Sequence, residues 1–132
     1  MSRFVVDASA VLHLATEEIE VSPEHTLLAP TLVRSQTLSL LHEAVQRGEV
    51  AADVARDRLR RIARIKIRLL GDAVLRRRAW EIAEQLGWAS TYDAEYVALT
   101  QLQADAFITI DAKLARSLEG IVATASIDAL LR

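Results

Sequence analysis

Two short apolar runs in this chain end in the same way, Phe4-Val5-Val6-Asp7 and Phe107-Ile108-Thr109-Ile110-Asp111. Runs of this kind, rich in β-branched and aromatic residues, read as buried strands. Each is followed by an apolar, helix-compatible stretch, 8–15 after the first and 112–118 after the second, so each aspartate stands where it can cap a helix. Strands alternating with helices pair in parallel through helical crossovers and are covered on both faces. The predicted fold class is therefore α/β, a three-layer α/β/α sandwich around a parallel sheet. Ligands in such sheets bind at the carboxyl edge of the strands, where Asp7 and Asp111 would both lie.

The rest of the chain fits between these runs. Residues 17–23 are acidic and end in Ser-Pro, which reads as a loop. Pro30 is predicted to open a long helix at its first turn, with Leu32, Val33, Leu40, Leu41, Ala44 and Val45 on its apolar face and Gly48 as its stop. Residues 51–63 read as a second helix. At 65–69 the period changes to the alternation Ile-Lys-Ile-Arg-Leu, a strand with two basic side chains on one face. Gly71-Asp72 breaks it, helices follow at 74–86 and 91–103, a last strand is expected at Ile121-Val122, and a helix at 126–131. No repeat or linker divides the sequence, so residues 1–132 form one domain, long enough to bury a core.

Composition removes several chemistries. There is no cysteine, which excludes disulfides, iron–sulfur clusters, thiolate zinc sites and cysteine nucleophiles, and suits a reducing compartment. His13, His25 and His42 lack the spacing of a metal pair, and no phosphate-cradling glycine loop or nucleophile elbow is present. No apolar run approaches the roughly 18 residues of a membrane helix, and the amino terminus does not read as a signal peptide. The expectation is a cytoplasmic protein with no membrane contact. The formal charge of −2 hides an asymmetry: residues 56–78 hold ten bases and two acids, leaving six bases and sixteen acids elsewhere. Such a segment is either a cationic surface for a polyanion or acidic partner, or a solvated helix face.

A third aspartate, Asp93, sits in the first turn of the helix opened by Ser90-Thr91-Tyr92. Asp105 precedes its strand, and about five residues at roughly 3.3 Å each carry it to the opposite edge. Any one of these acids alone reads as a helix cap. A converging set of carboxylates without cysteine suits a hard cation such as Mg²⁺ or Mn²⁺, an ion that commonly serves phosphoryl chemistry.

Val5-Val6-Asp7-Ala8-Ser9, the segment beginning at Pro30, Ser90-Thr91-Tyr92-Asp93-Ala94 and Ile108-Thr109-Ile110-Asp111-Ala112-Lys113-Leu114 together resemble the motifs of PIN domains, most closely the small VapC ribonuclease toxins. The resemblance runs over essentially the whole chain, in order. It implies a five-stranded parallel sheet and an Mg²⁺- or Mn²⁺-dependent endoribonuclease that dimerises and is inhibited by a VapB-type antitoxin. Asp7, Asp93 and Asp111 match three members of the family's acidic, metal-binding set. Thr109 matches a hydroxyl often found beside the metal, and Ser9 is a weaker match of the same kind. One position departs: where the family places a glutamate after the Pro30 equivalent, this chain has Gln36, which keeps an acceptor oxygen but loses the charge. Glu43 lies about 10 Å further along the same helix and Glu95 on another face of its own, so neither is expected to replace it.

Three functions follow as alternatives. The first is a metal-dependent endoribonuclease toxin acting through Asp7, Asp93 and Asp111, with Gln36 and Thr109 beside them. The second is a weakened PIN-like module that binds antitoxin, RNA or both, which Gln36 favours. A haloacid-dehalogenase-like phosphatase is the third, and it wants an aspartate where Ser9 stands. Exposed apolar residues on the helices at 51 and 74 would serve a homodimer.

Overall fold

In a computed structural model of the chain, which describes residues 2–131, the first strand and the first helix meet at Asp7. Strand β1 (Ser2–Val6) runs into α1 (Ala8–Thr16), whose free N–H groups are capped by the Asp7 side chain. There follow β2 (His25–Pro30), α2 (Leu32–Gln46), α3 (Ala52–Arg64), β3 (Ile67–Leu70), α4 (Ala73–Leu86), α5 (Tyr92–Gln103), β4 (Ala106–Ile108), α6 (Ala112–Ser117) and β5 (Thr124–Ala125). A short 3₁₀ helix (Ile127–Leu131) closes the described chain.

All strand pairs are parallel, in the order β3-β2-β1-β4-β5. The chain first builds outward from β1 to β3, then crosses back and builds from β4 to β5. Right-handed crossovers in opposite directions place their helices on opposite faces. Accordingly α1, α2 and α3 pack together, while α4 packs on α5, which lies over β1, β2 and β4. The reversal falls between β1 and β4, so the crevice beyond their carboxyl ends is the place where such sheets bind ligands. Val5, Val6, Leu28, Phe107 and Ile108 fill the centre of the sheet and are buried completely.

Four details depart from the sequence reading. Pro30 ends β2 instead of opening α2. Leu27, Leu28 and Ala29 are buried as a strand between β1 and β3, and Pro30 takes the terminal place opposite Leu70. The last strand lies at Thr124–Ala125, not at Ile121-Val122, whose amides bond back to the Leu118 carbonyl and close the turn after α6. Residues 127–131 form a 3₁₀ turn held by buried Leu130, whose carbonyl accepts from Ser22 N at 2.8 Å. Strand β4 stops at Ile108, before Thr109 and Ile110, because side-chain hydroxyls take over the next backbone groups. The Ile110 amide donates to Ser9 Oγ at 3.1 Å and the Asp111 amide to Thr109 Oγ1 at 3.1 Å.

Candidate active site

That unravelling builds the site. Asp7 is only 8% exposed, and three donors satisfy its carboxylate. Ser9 Oγ and the Ala10 amide donate to Oδ1 at 2.7 and 2.9 Å, and Thr109 Oγ1 donates to Oδ2 at 2.5 Å. A buried carboxylate without such donors would be costly. Ser9 Oγ and Thr109 Oγ1 lie 3.3 Å apart, so the pair clasps the ends of β1 and β4 together around Asp7. Asp111 caps α6, its Oδ1 accepting from the amides of Lys113 and Leu114 at 3.0 and 3.1 Å.

Asp93 is different. It stands in the first turn of α5 but caps nothing and accepts no hydrogen bond from the described residues. Its carboxyl is raised above the ordinary value, first by burial and then by the charges of Asp7 and Asp111. The three aspartates line one open cavity of about 300 Å³, together with Ser9, Gln36 and Glu43. Thr109 reaches the site through its bond to Asp7.

Gln36, on α2, faces α5. Its Oε1 accepts from Tyr96 Oη at 2.5 Å. Tyr96 is 1% exposed, and its phenol is raised well above the ordinary value by burial, then by Asp7, Glu95 and Asp93, so it remains a donor. The Gln36 amide is thereby fixed by its oxygen, and its nitrogen has no partner among the described residues. Tyr96 is a site residue that the sequence reading did not name. It lies three positions after Asp93, the spacing that puts two residues on one helix face.

Glu43, two turns further along α2 than Gln36, lines the outer part of the same cavity, where it accepts from Ser39 Oγ at 2.7 Å and lies 3.9 Å from Arg47. Glu95 does stay apart: burial raises its carboxyl, and Arg76 opposes the shift. Asp105 lies at the other edge, where its Oδ2 accepts from the Arg3 amide at 2.8 Å. Trp88 packs half-buried against the core and Trp80 is exposed.

The donor set is all oxygen, which fits a hard cation. Among the described residues, no three carboxylate or histidine side chains are placed to hold one ion directly. Such a cation, Mg²⁺ or Mn²⁺, would be held directly by one or two of Asp7, Asp93 and Asp111 and would keep several of its waters.

No family model matches the sequence. The chain is similar to VapC ribonuclease Mb0985 of Mycobacterium bovis and to ribonuclease VapC9 of Mycobacterium tuberculosis, at 34% identity over 113 residues in each case, which is 83% of this chain and 87% of theirs. Its fold is similar to the crystal structure of PAE2754 from Pyrobaculum aerophilum, with a TM-score of 0.74 and 22% identity over 98% of this chain and 93% of that one. With that identity sustained over most of both chains, on a five-stranded parallel sheet whose acids gather beyond β1 and β4, the chain belongs to the VapC ribonuclease family of PIN-domain proteins.

Proposed function

We propose that this chain is an endoribonuclease toxin that hydrolyses RNA phosphodiester bonds with Mg²⁺ or Mn²⁺. In this reading it works in the cytoplasm as a homodimer and is restrained by a VapB-type antitoxin. The observation that carries the reading is Asp93, a carboxylate that the fold does not use, faced by two others at the carboxyl edge. A bound Mg²⁺ or Mn²⁺ lowers the pKa of its water and offsets charge on the leaving oxygen. The chain's own part is to hold oxygen ligands still. Ser9 and Thr109 fix both oxygens of Asp7, the α6 amides fix Asp111 by Oδ1, and Asp93 lines the same cavity without a hydrogen-bond donor among the described residues. Water would add at phosphorus and the bond to the 3′ oxygen would break, leaving 5′-phosphate and 3′-hydroxyl ends. No helix among the described residues is long and apolar enough to cross a membrane.

Gln36 supports a second reading, a binding module that has kept the fold and lost most of the activity. Its amide brings no negative charge, and its oxygen is engaged by Tyr96. Cleavage of a pool of structured RNAs with Mg²⁺ or Mn²⁺ separates the two. The nuclease reading expects cutting by this chain and a fall of about a hundred-fold or more in Asp93→Asn, the loss typical of a missing transition-state charge contact. Cutting by Gln36→Glu alone would select the binding module. The absence of cutting from both would remove the nuclease reading.

A further inference from the structure

The acids at the carboxyl edge repel the polyanion they are proposed to cut, so the attraction must come from elsewhere on the molecule. At the opposite edge, where β2 begins and α3 ends, lies a cavity of about 770 Å³, more than twice the volume of the acidic one. Arg61, Arg64, Lys66 and Arg68 line it, with Glu20 as its one lining acid. Arg61 is spent within the fold, donating to the Ala15 carbonyl and pairing with Asp57 at 2.9 Å and Glu18 at 3.4 Å. The other three are exposed and have no ion-pair partner among the described residues. They sit on fixed backbone: Arg64 ends α3, Lys66 precedes β3, and Arg68 is the second residue of that strand. Lys66 and Arg68 share a face because strand side chains alternate, while Ile67 and Leu69 turn to the other face against α2 and α3.

The basic segment seen in the sequence is thus two surfaces. Arg76 and Arg78 lie against Glu95 and Gln101 of α5, whereas Arg64, Lys66 and Arg68 collect in one cleft, apart from Arg56 and Arg58 further up α3.

We propose that this cleft is an RNA exosite that grips the phosphate backbone at a distance from the cut. The inference rests on the ribonuclease reading for the nature of the ligand. Its lining has no Tyr, Trp or Phe on which bases would stack, and unpaired cations position a backbone without reading sequence. Arg68 is level with Leu28 and Val5, two residues before Asp7 and two strands to the side, about 12 Å away, and the His25 end of β2 is level with Ser2, five residues before Asp7, about 16 Å away. A stacked single strand covers these distances with about four or five nucleotides.

The test is fluorescence anisotropy of the full chain with a labelled single-stranded RNA long enough to span both edges, in EDTA so that no cleavage occurs. The triple variant Arg64→Ala, Lys66→Ala, Arg68→Ala is expected to bind about ten-fold or more weakly at low salt. The slope of log affinity against log salt should fall by about 2, roughly 0.7 for each of three phosphates released. Arg64→Lys with Arg68→Lys should keep the slope, since the charge is retained, and circular dichroism checks that each variant is folded. Cleavage of a dinucleotide, too short to reach the cleft, should be the same in wild type and triple variant. Lost dinucleotide cleavage with intact RNA binding would count against the nuclease reading and leave the exosite standing. An unchanged slope in the triple variant would overturn the exosite, as would tighter binding of a poly-glutamate peptide than of RNA at the same residues.

Discussion

Asp7 and Asp111 have structural duties that Asp93 lacks. Both cap helices and have backbone donors to their oxygens, so replacing either disturbs the fold as well as the chemistry. Asp93 accepts no such bond, and its raised carboxyl means that the folded state binds the proton more tightly than the unfolded chain does. The sign follows from linkage: where the native state holds more protons, stability falls as pH rises. In metal-free protein, Asp93 therefore favours folding below its ordinary value of 3.8 and opposes it once pH has risen through the raised value. Asp93→Asn should raise the melting temperature at neutral pH in EDTA and lose that advantage as pH falls toward 3.8. Thermal melts across that range check it, and a lower melting temperature at neutral pH would refute it. Gln36 carries a second expectation. A carboxylate there would still accept from Tyr96 and would add charge to the acidic cavity, so Gln36→Glu should tighten Mn²⁺ binding about ten-fold or more, a scale on which neighbouring groups tune metal affinity. Calorimetric titration reads this directly, and unchanged affinity would place residue 36 outside the cation's reach.

The end of β4 shows how two elements are joined through side chains. Where the ladder stops, Ser9 and Thr109 accept the amides of Ile110 and Asp111 and also donate to Asp7. Thr109→Val removes the hydroxyl with little change of shape and leaves a buried carboxylate short of one donor. It should cost about 1–3 kcal/mol, and Thr109→Ser should recover most of it; denaturant unfolding measures both. The clasp was legible only in part. Phe4-Val5-Val6-Asp7 and the motif at 108–111 located the two strands and the acids after them, because a buried apolar run and a capping aspartate leave strong local marks. Nothing local marks β2. His25 and Thr26 dilute its apolar content, and Pro30 reads equally well as a helix start, so only pairing with β1 and β3 makes it a strand. Strand β5 has two residues, too few for any period. Tyr96 is not marked by the sequence for a related reason: its hydrogen bond to Gln36 depends on how α2 and α5 meet.

The molecule as a whole separates its charges and leaves some of its apolar surface uncovered. Acids gather beyond β1 and β4, unpaired bases gather at the opposite edge, and Trp80 on α4 is 66% exposed. An indole left in water is costly, and burying most of one is worth about 2–3 kcal/mol. Val74 on the same helix is also exposed, at 57%, so α4 presents apolar side chains that the fold itself does not cover. In a two-fold dimer the same patch is used twice, and one substitution removes two contacts. If α4 forms the proposed homodimer interface, Trp80→Ala loses about 4 kcal/mol or more of association energy, which corresponds to a dimer weakened about a thousand-fold. The core should be unaffected, since Trp80 is absent from its packed clusters. Sedimentation over a range of concentrations separates the cases. A dimer that becomes monomeric in Trp80→Ala, with the monomer melting cooperatively, assigns the interface to α4. A dimer that persists unchanged moves the interface off α4 and leaves Trp80 open to another partner.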